Sequence, residues 1–354
     1  MVAFQVTLVV LVAAMWSGNV AGTVLGAGAI GAVIAWHGLA LARAARTRLG
    51  NRFAAVVRYY VAAAGFLVVG CTLAGLLTVA MFATGAPAWL LDARDGLTLA
   101  HSVVNVGGWL GLSILGTLVT LGPTMLRTRI DPAALDHALA ALPVLVTGLG
   151  LAATSAVVGW LPGVGIGLLA FAGAALLGVG LPLGRAARAS GPSSFATWTV
   201  LAGLCWALVA LTAVAVNTFV VADAAALRGA NLPWVALLGA GGVLQVLVGA
   251  LSYLMPVVIG GGPGPLRVGM TVLATAWPLR VALRTTALAL LAAGTAAGAG
   301  SRAVWWCLVL VAYGVDVTLF AVAGVRQARA RRAPGAAPPP PTPLTLSPTP
   351  RSVP

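Results

Sequence analysis

Lysine is absent from this chain, and charge of either sign is scarce. All 20 basic residues are arginine, only 6 residues are acidic, and charged side chains make up 7% of the 354 residues. A soluble domain carries about 25% charged residues. A soluble globular fold of this length is therefore excluded. Cysteine is nearly absent as well. Cys71, Cys205 and Cys307 each lie inside an apolar run, and none has a CxxC spacing. That pattern predicts small core side chains, with neither a disulfide nor a metal site among them. Histidine occurs only as His37, His101 and His137. No GxSxG, HExxH or GxGxxG context supports soluble-type catalysis. The run Gly260-Gly261-Gly262-Pro263-Gly264-Pro265 lacks the Lys-Ser/Thr of a phosphate loop and reads as a tight turn. The first 16 residues have neither a basic n-region nor a small-residue cleavage site, so no signal peptide is expected.

What the chain has is apolar length. It is 60% hydrophobic, with a mean hydropathy of +1.04. The run from Leu97 to Met125 carries no charged side chain apart from His101, if that is protonated. At about 1.5 Å per residue it extends roughly 43 Å, more than the roughly 30 Å hydrocarbon core of a bilayer. Cutting at charged or turn-forming breaks gives ten apolar segments, near 3–16, 20–42, 56–84, 97–125, 138–160, 163–184, 195–222, 232–258, 280–298 and 303–325. The first is short for a span. The expected fold is an all-α polytopic membrane bundle in contact with lipid, with a transmembrane domain over 1–326. Residues 327–354 read as a separate tail, because Pro334 to Pro354 is rich in Pro, Ala, Thr and Ser and has no core to bury.

Charge placement orients the bundle. With the N-terminus inside, 17 arginines fall on the inner side, including the Arg267, Arg280 and Arg284 group, and only Arg94, Arg228 and Arg302 fall outside. This is the positive-inside pattern of a bacterial plasma-membrane protein with both termini cytoplasmic. It also explains the net charge of +14 without any nucleic-acid partner. Most tryptophans fall at segment ends, as an aromatic belt requires. Trp109 and Trp206 sit mid-segment and are expected to face other helices. Asp131-Pro132 reads as an N-cap and first-turn proline for the fifth segment, and Asn231 with Pro233 does the same for the eighth. The pattern G-x-L-x-x-L-x-P occurs twice, at Gly116–Pro123 and Gly249–Pro256. An even number of segments separates the copies, as in a parallel repeat.

Few residues could carry chemistry. His101 and Asn105 share a face of the fourth segment beside the small-residue step Gly107–Gly111. His101 is either a haem or copper ligand or an interfacial histidine. Asp316 is the only acidic residue deep in a segment, so it is either a proton-relay or ion-binding group or a protonated side chain hydrogen-bonded to a neighbouring helix. Asn217 and Gln245 are expected to act as interhelical polar contacts.

The run Ala100-His101-Ser102-Val103-Val104-Asn105, with Gly108-Trp109-Leu110-Gly111-Leu112 and Pro123-Thr124-Met125-Leu126-Arg127, resembles the membrane portion of bacterial copper-oxidase or nitrite-reductase-like proteins. That portion is similar to haem–copper oxidase subunit I and to the NnrS group. Leu251–Val258 with Gly260–Pro263, and Trp36-His37, fit the same pattern. The resemblance implies an oxidase-subunit-like helix arrangement and haem or copper chemistry, with a cupredoxin-type copper protein or redox subunit as partner. The family stretch commonly reads His-x-His-Leu-Asn, whereas here the second histidine is missing. The expectation is a redox-linked or assembly subunit with a degenerate centre, not an enzyme on its own. The competing expectation is a small-solute or ion transporter using Asp316 and the seam between the fourth and eighth segments.

Overall fold

In the computed structural model, which describes residues 2–48, 51–128, 132–296 and 302–332, every regular element is a helix. These are α1 (Val2–Trp16), α2 (Val20–Arg48), α3 (Asn51–Phe82), the short α4 (Ala88–Asp92), α5 (Arg94–Met125), α6 (Pro132–Val157), α7 (Leu161–Ser190), α8 (Phe195–Asn217), α9 (Ala224–Ile259), α10 (Pro263–Leu273), α11 (Trp277–Ala296) and α12 (Arg302–Arg332). Eight of them, α2, α3, α5 to α9 and α12, are long and apolar enough to cross a membrane. Helices satisfy their own backbone groups, which lipid does not. The pair α10–α11 passes the same test jointly but is bent by 41° at its break. The 15 residues of α1 reach only about 22 Å, short of the hydrocarbon thickness, and α1 packs along α2.

Two cores hold the bundle. The larger joins α3, α5, α6, α7 and α8 around Leu112, Leu145, Leu149 and Phe171. A Cβ on Gly148 of α6 would lie 2.8 Å from the Gly167 carbonyl oxygen of α7, so the two backbones touch there. The second core joins α8, α9, α11 and α12 around Phe195, Leu237, Leu288 and Tyr313.

Three helices widen into π turns mid-span: α5 over Val103–Gly111, α7 over Leu176–Gly180 and α9 over Leu238–Val243. The two signature copies follow two of these stretches. Each copy keeps its proline inside a helix, Pro123 in α5 and Pro256 in α9. Each ends on a left-handed residue, Arg127 at φ 55° and Gly260 at φ 67°, at the interval that separates Gly116 from Gly249. Gly116 packs on Tyr59 of α3, and Gly249 packs on Val200 of α8. The correspondence thus extends from the sequence motif to helix shape, helix termination and the neighbouring helix.

Several local expectations are corrected. The eighth segment starts earlier, at Ala224, because Asp223 is its N-cap and accepts from the Ala226 amide at 2.8 Å. Pro233 lies inside that helix, and Asn231 is buried instead of capping. Trp109 does not face another helix; it is 43% exposed, at no cost where the surroundings are lipid. The tail does not begin at 327, because α12 continues to Arg332. Gln327 donates to the Pro256 carbonyl at 2.7 Å, a carbonyl near the C-terminus of α9, and Arg331 bonds the Ile259 carbonyl at 3.0 Å. Asp131 and the Pro334–Pro354 stretch lie outside the described residues.

Candidate functional site: a buried ion cluster beside a cleft

The span made by α10 and α11 breaks at Ala274–Ala276, where Ala276 takes a left-handed φ of 48°. Pro278 sits in the first turn of α11, where its missing N–H costs nothing. The break frees carbonyl groups, and Arg280 collects them. Its Nη1 donates to the Leu273 carbonyl at 2.8 Å and to the Thr275 carbonyl at 3.1 Å. Its Nε and Nη2 donate to Asp316 Oδ1 at 2.9 and 2.5 Å. One turn along the same face, Arg284 donates through Nη1 to Asp316 Oδ2 and through Nη2 to Thr199 Oγ1, the latter at 3.4 Å. Asp316 is 1% exposed, Arg280 6% and Arg284 0%.

Aromatic faces complete the enclosure. The Arg280 guanidinium stacks 3.8 Å from the Phe195 ring centroid, and that of Arg284 lies 4.9 Å from the Tyr313 ring. The Tyr313 hydroxyl donates to the Ala240 carbonyl, within the π turn of α9, at 2.5 Å. The cluster therefore ties α8, α9 and α12 to the broken span. It also holds two positive charges against one negative, and Arg284 Nε has no partner among the described residues.

This corrects the sequence reading of Arg280 and Arg284 as solvent-side anchors. They lie inside the bundle because Asp316 draws them there. The detectable signal was an Arg-x-x-x-Arg step in an apolar run, followed one segment later by the single deep carboxylate.

At the end of the bundle where α5, α7 and α9 terminate, a cleft of about 190 Å³ opens beside the cluster. Arg127, Ser194, Thr197, Ser252 and Tyr253 line it, with Phe195 and Leu273 on the side towards Arg280. Both signature copies reach it, through Met125–Arg127 and through Ser252-Tyr253. A capping box starts α8 at its edge, with Ser194 Oγ accepting from the Thr197 amide at 3.3 Å. Deeper in the bundle, the three π turns converge on an apolar cavity of about 90 Å³, lined by Gly107, Gly111, Leu176, Gly180, Gly242 and Val243 together with side chains of α8. The fourth and eighth segments thus face each other across this cavity.

His101 and Asn105 occupy a different place, against α3. His101 Nδ1 donates to the Gly70 carbonyl at 3.1 Å, and the Asn105 amide nitrogen lies 3.2 Å from Nδ1 and 3.4 Å from Nε2. Asn105 also donates to the His101 carbonyl at 2.8 Å. A Cβ on Gly70 would come within 2.5 Å of Asn105 Oδ1, so only glycine admits this contact. Among the described residues, no three His, Cys or Asp side chains converge, and His37 and His137 are exposed. A copper centre needs convergent ligands, and the described residues bring none to His101. Asn217 donates to Asn231 Oδ1 at 2.8 Å, joining α8 to α9. Gln245 bonds within its own helix, to the Gly241 carbonyl at 2.9 Å, and leaves its buried Oε1 without a partner among the described residues.

Compared with known proteins, the chain matches no family model, no curated protein and no solved structure.

Proposed function

We propose that this protein is a membrane transporter for a small solute or ion, with Asp316 at its core and the π-turn seam of α5 and α9 as its deformable element. One observation carries the reading: the span α10–α11 is interrupted, and Arg280 bonds both its freed carbonyls and Asp316. Discontinuous spans with intramembrane charge are the way transporters build binding sites near the bilayer midplane. The π turns add support, since such turns concentrate at functional sites. So do the two left-handed non-glycine residues among those described, Arg127 in the cleft lining and Ala276 at the break of the α10–α11 span. With Arg280 and Arg284 inside the bundle, the remaining 15-to-3 arginine split supports a bacterial plasma membrane with the cleft on the cytoplasmic side.

A redox subunit serving a cupredoxin-type partner rests on the resemblance of the fourth and eighth segments alone. It stands as the competing outcome. The direct test is uptake of labelled anions, cations and neutral solutes into proteoliposomes. At least one solute is expected to enter faster than into protein-free vesicles. Equal rates for every solute would contradict the reading.

A further inference from the structure

We infer that the cleft beside Phe195 is a binding site for a small monocarboxylate with an apolar body. The inference deepens the transport reading by naming its substrate class, but its test measures binding without flux.

Charge gives the first reason. Arg127, at the cleft, forms no ion pair among the described residues and is exposed. Immediately behind the cleft lining, the ion cluster holds one positive charge more than its carboxylate balances. Arg280 lies 3.8 Å from the ring of Phe195 and bonds the carbonyl of Leu273, and both of those residues line the cleft. Among the described residues no carboxylate lines it. A low-dielectric recess between two positive centres focuses a positive potential and favours an anion.

Lining chemistry gives the second. Tyr253 brings a hydroxyl group, those of Ser194, Thr197 and Ser252 being engaged with one another or with backbone carbonyls, while Met125, Leu126, Met270 and Leu273 bring apolar surface. A fully hydrated ion such as phosphate would leave that apolar surface unused. A ligand with one carboxylate and a hydrocarbon body uses both. Volume gives the third. A cavity of about 150 Å³ takes up benzene, so about 190 Å³ suits a benzoate-sized molecule. The carboxylate faces Arg127 and the Tyr253 hydroxyl, and the ring lies against the apolar lining to which Phe195 and Leu273 contribute.

The probe is benzoate, titrated calorimetrically into the full chain in nanodiscs, with empty nanodiscs as blank and benzamide as the neutral analogue. Saturable benzoate binding is expected, with benzamide at least tenfold weaker. Arg127→Gln, at an exposed position that leaves the fold intact, should weaken benzoate at least tenfold and leave benzamide unchanged. Phe195→Leu should weaken both ligands. Three results would each overturn the inference: no binding above empty nanodiscs, equal affinity for benzoate and benzamide, or benzoate affinity unchanged in Arg127→Gln. Saturable binding with no solute entering proteoliposomes faster than protein-free vesicles would leave this site standing and remove the transport reading.

Discussion

Arg280 and Asp316 meet 2.5 Å apart inside the bundle, and the same guanidinium holds the two carbonyls released by the break in its own span. The ion pair and the backbone defect are thus one structure. Removing the carboxylate would leave two buried guanidinium groups uncompensated, while removing Arg284 would leave the Arg280–Asp316 pair intact.

That asymmetry predicts an order of stabilities. Breaking a buried pair by deleting one partner costs about 3–5 kcal/mol, and Asp316→Asn should fall in that range. Arg284→Met removes the surplus charge and keeps apolar contact, so it should cost far less. Thermal unfolding of the purified variants in one detergent checks this. Arg284→Met as damaging as Asp316→Asn would show that the second arginine is no surplus.

The Gly70–Asn105 contact makes a steric prediction. Gly70→Ala forces its new methyl against the amide, a small-to-large change costing about 1–3 kcal/mol. Asn105→Ala shortens the obstructing side chain, so the double variant should recover much of the loss. Additive losses in a double-mutant cycle would place the strain elsewhere.

His101→Ala should cost about 1 kcal/mol, the scale of a membrane interhelical hydrogen bond, because its ring bonds the Gly70 carbonyl of α3. The purified wild type should carry no stoichiometric haem. A Soret band that vanishes in His101→Ala would restore the redox reading.

Orientation is tested by labelling. In a background with Cys71, Cys205 and Cys307 replaced by alanine, a cysteine at Asp92 should react from outside, and one at Arg188 should not. Reversed reactivity of both sites would invert the bundle.

Eight of the ten expected segments were legible as helices long and apolar enough to cross a membrane, because a long apolar run is a local property of the chain. Leu97–Met125 could hardly be anything else, and it lies within α5. Where the sequence reading erred, the deciding partner was distant. Arg280 and Arg284 resemble loop charges until Asp316, on another helix, is placed between them. Asn231 resembles a cap until Asn217 of α8 is seen to bond it. Trp109 was assigned a protein-facing position by depth alone, yet depth does not set which side of a helix meets lipid. The π turns have no periodic signature; the glycine pairs Gly107-Gly108 and Gly241-Gly242 were their only trace. The echo of Gly116 and Gly249 was visible, but its equivalent ends at Arg127 and Gly260 needed backbone angles.

The central claim is that the Arg280–Asp316 lock on the broken span serves transport. Arg280→Lys isolates it. Lysine keeps the charge for Asp316, but one ammonium lacks the planar fork that also holds the carbonyls of Leu273 and Thr275. The decisive measurement is solute uptake into proteoliposomes by wild type and Arg280→Lys, with both proteins shown monodisperse and equally reconstituted. The account predicts uptake by the wild type above protein-free vesicles and at least a tenfold slower rate in the variant. Wild-type uptake no faster than in protein-free vesicles, or an unchanged rate in Arg280→Lys, would contradict it.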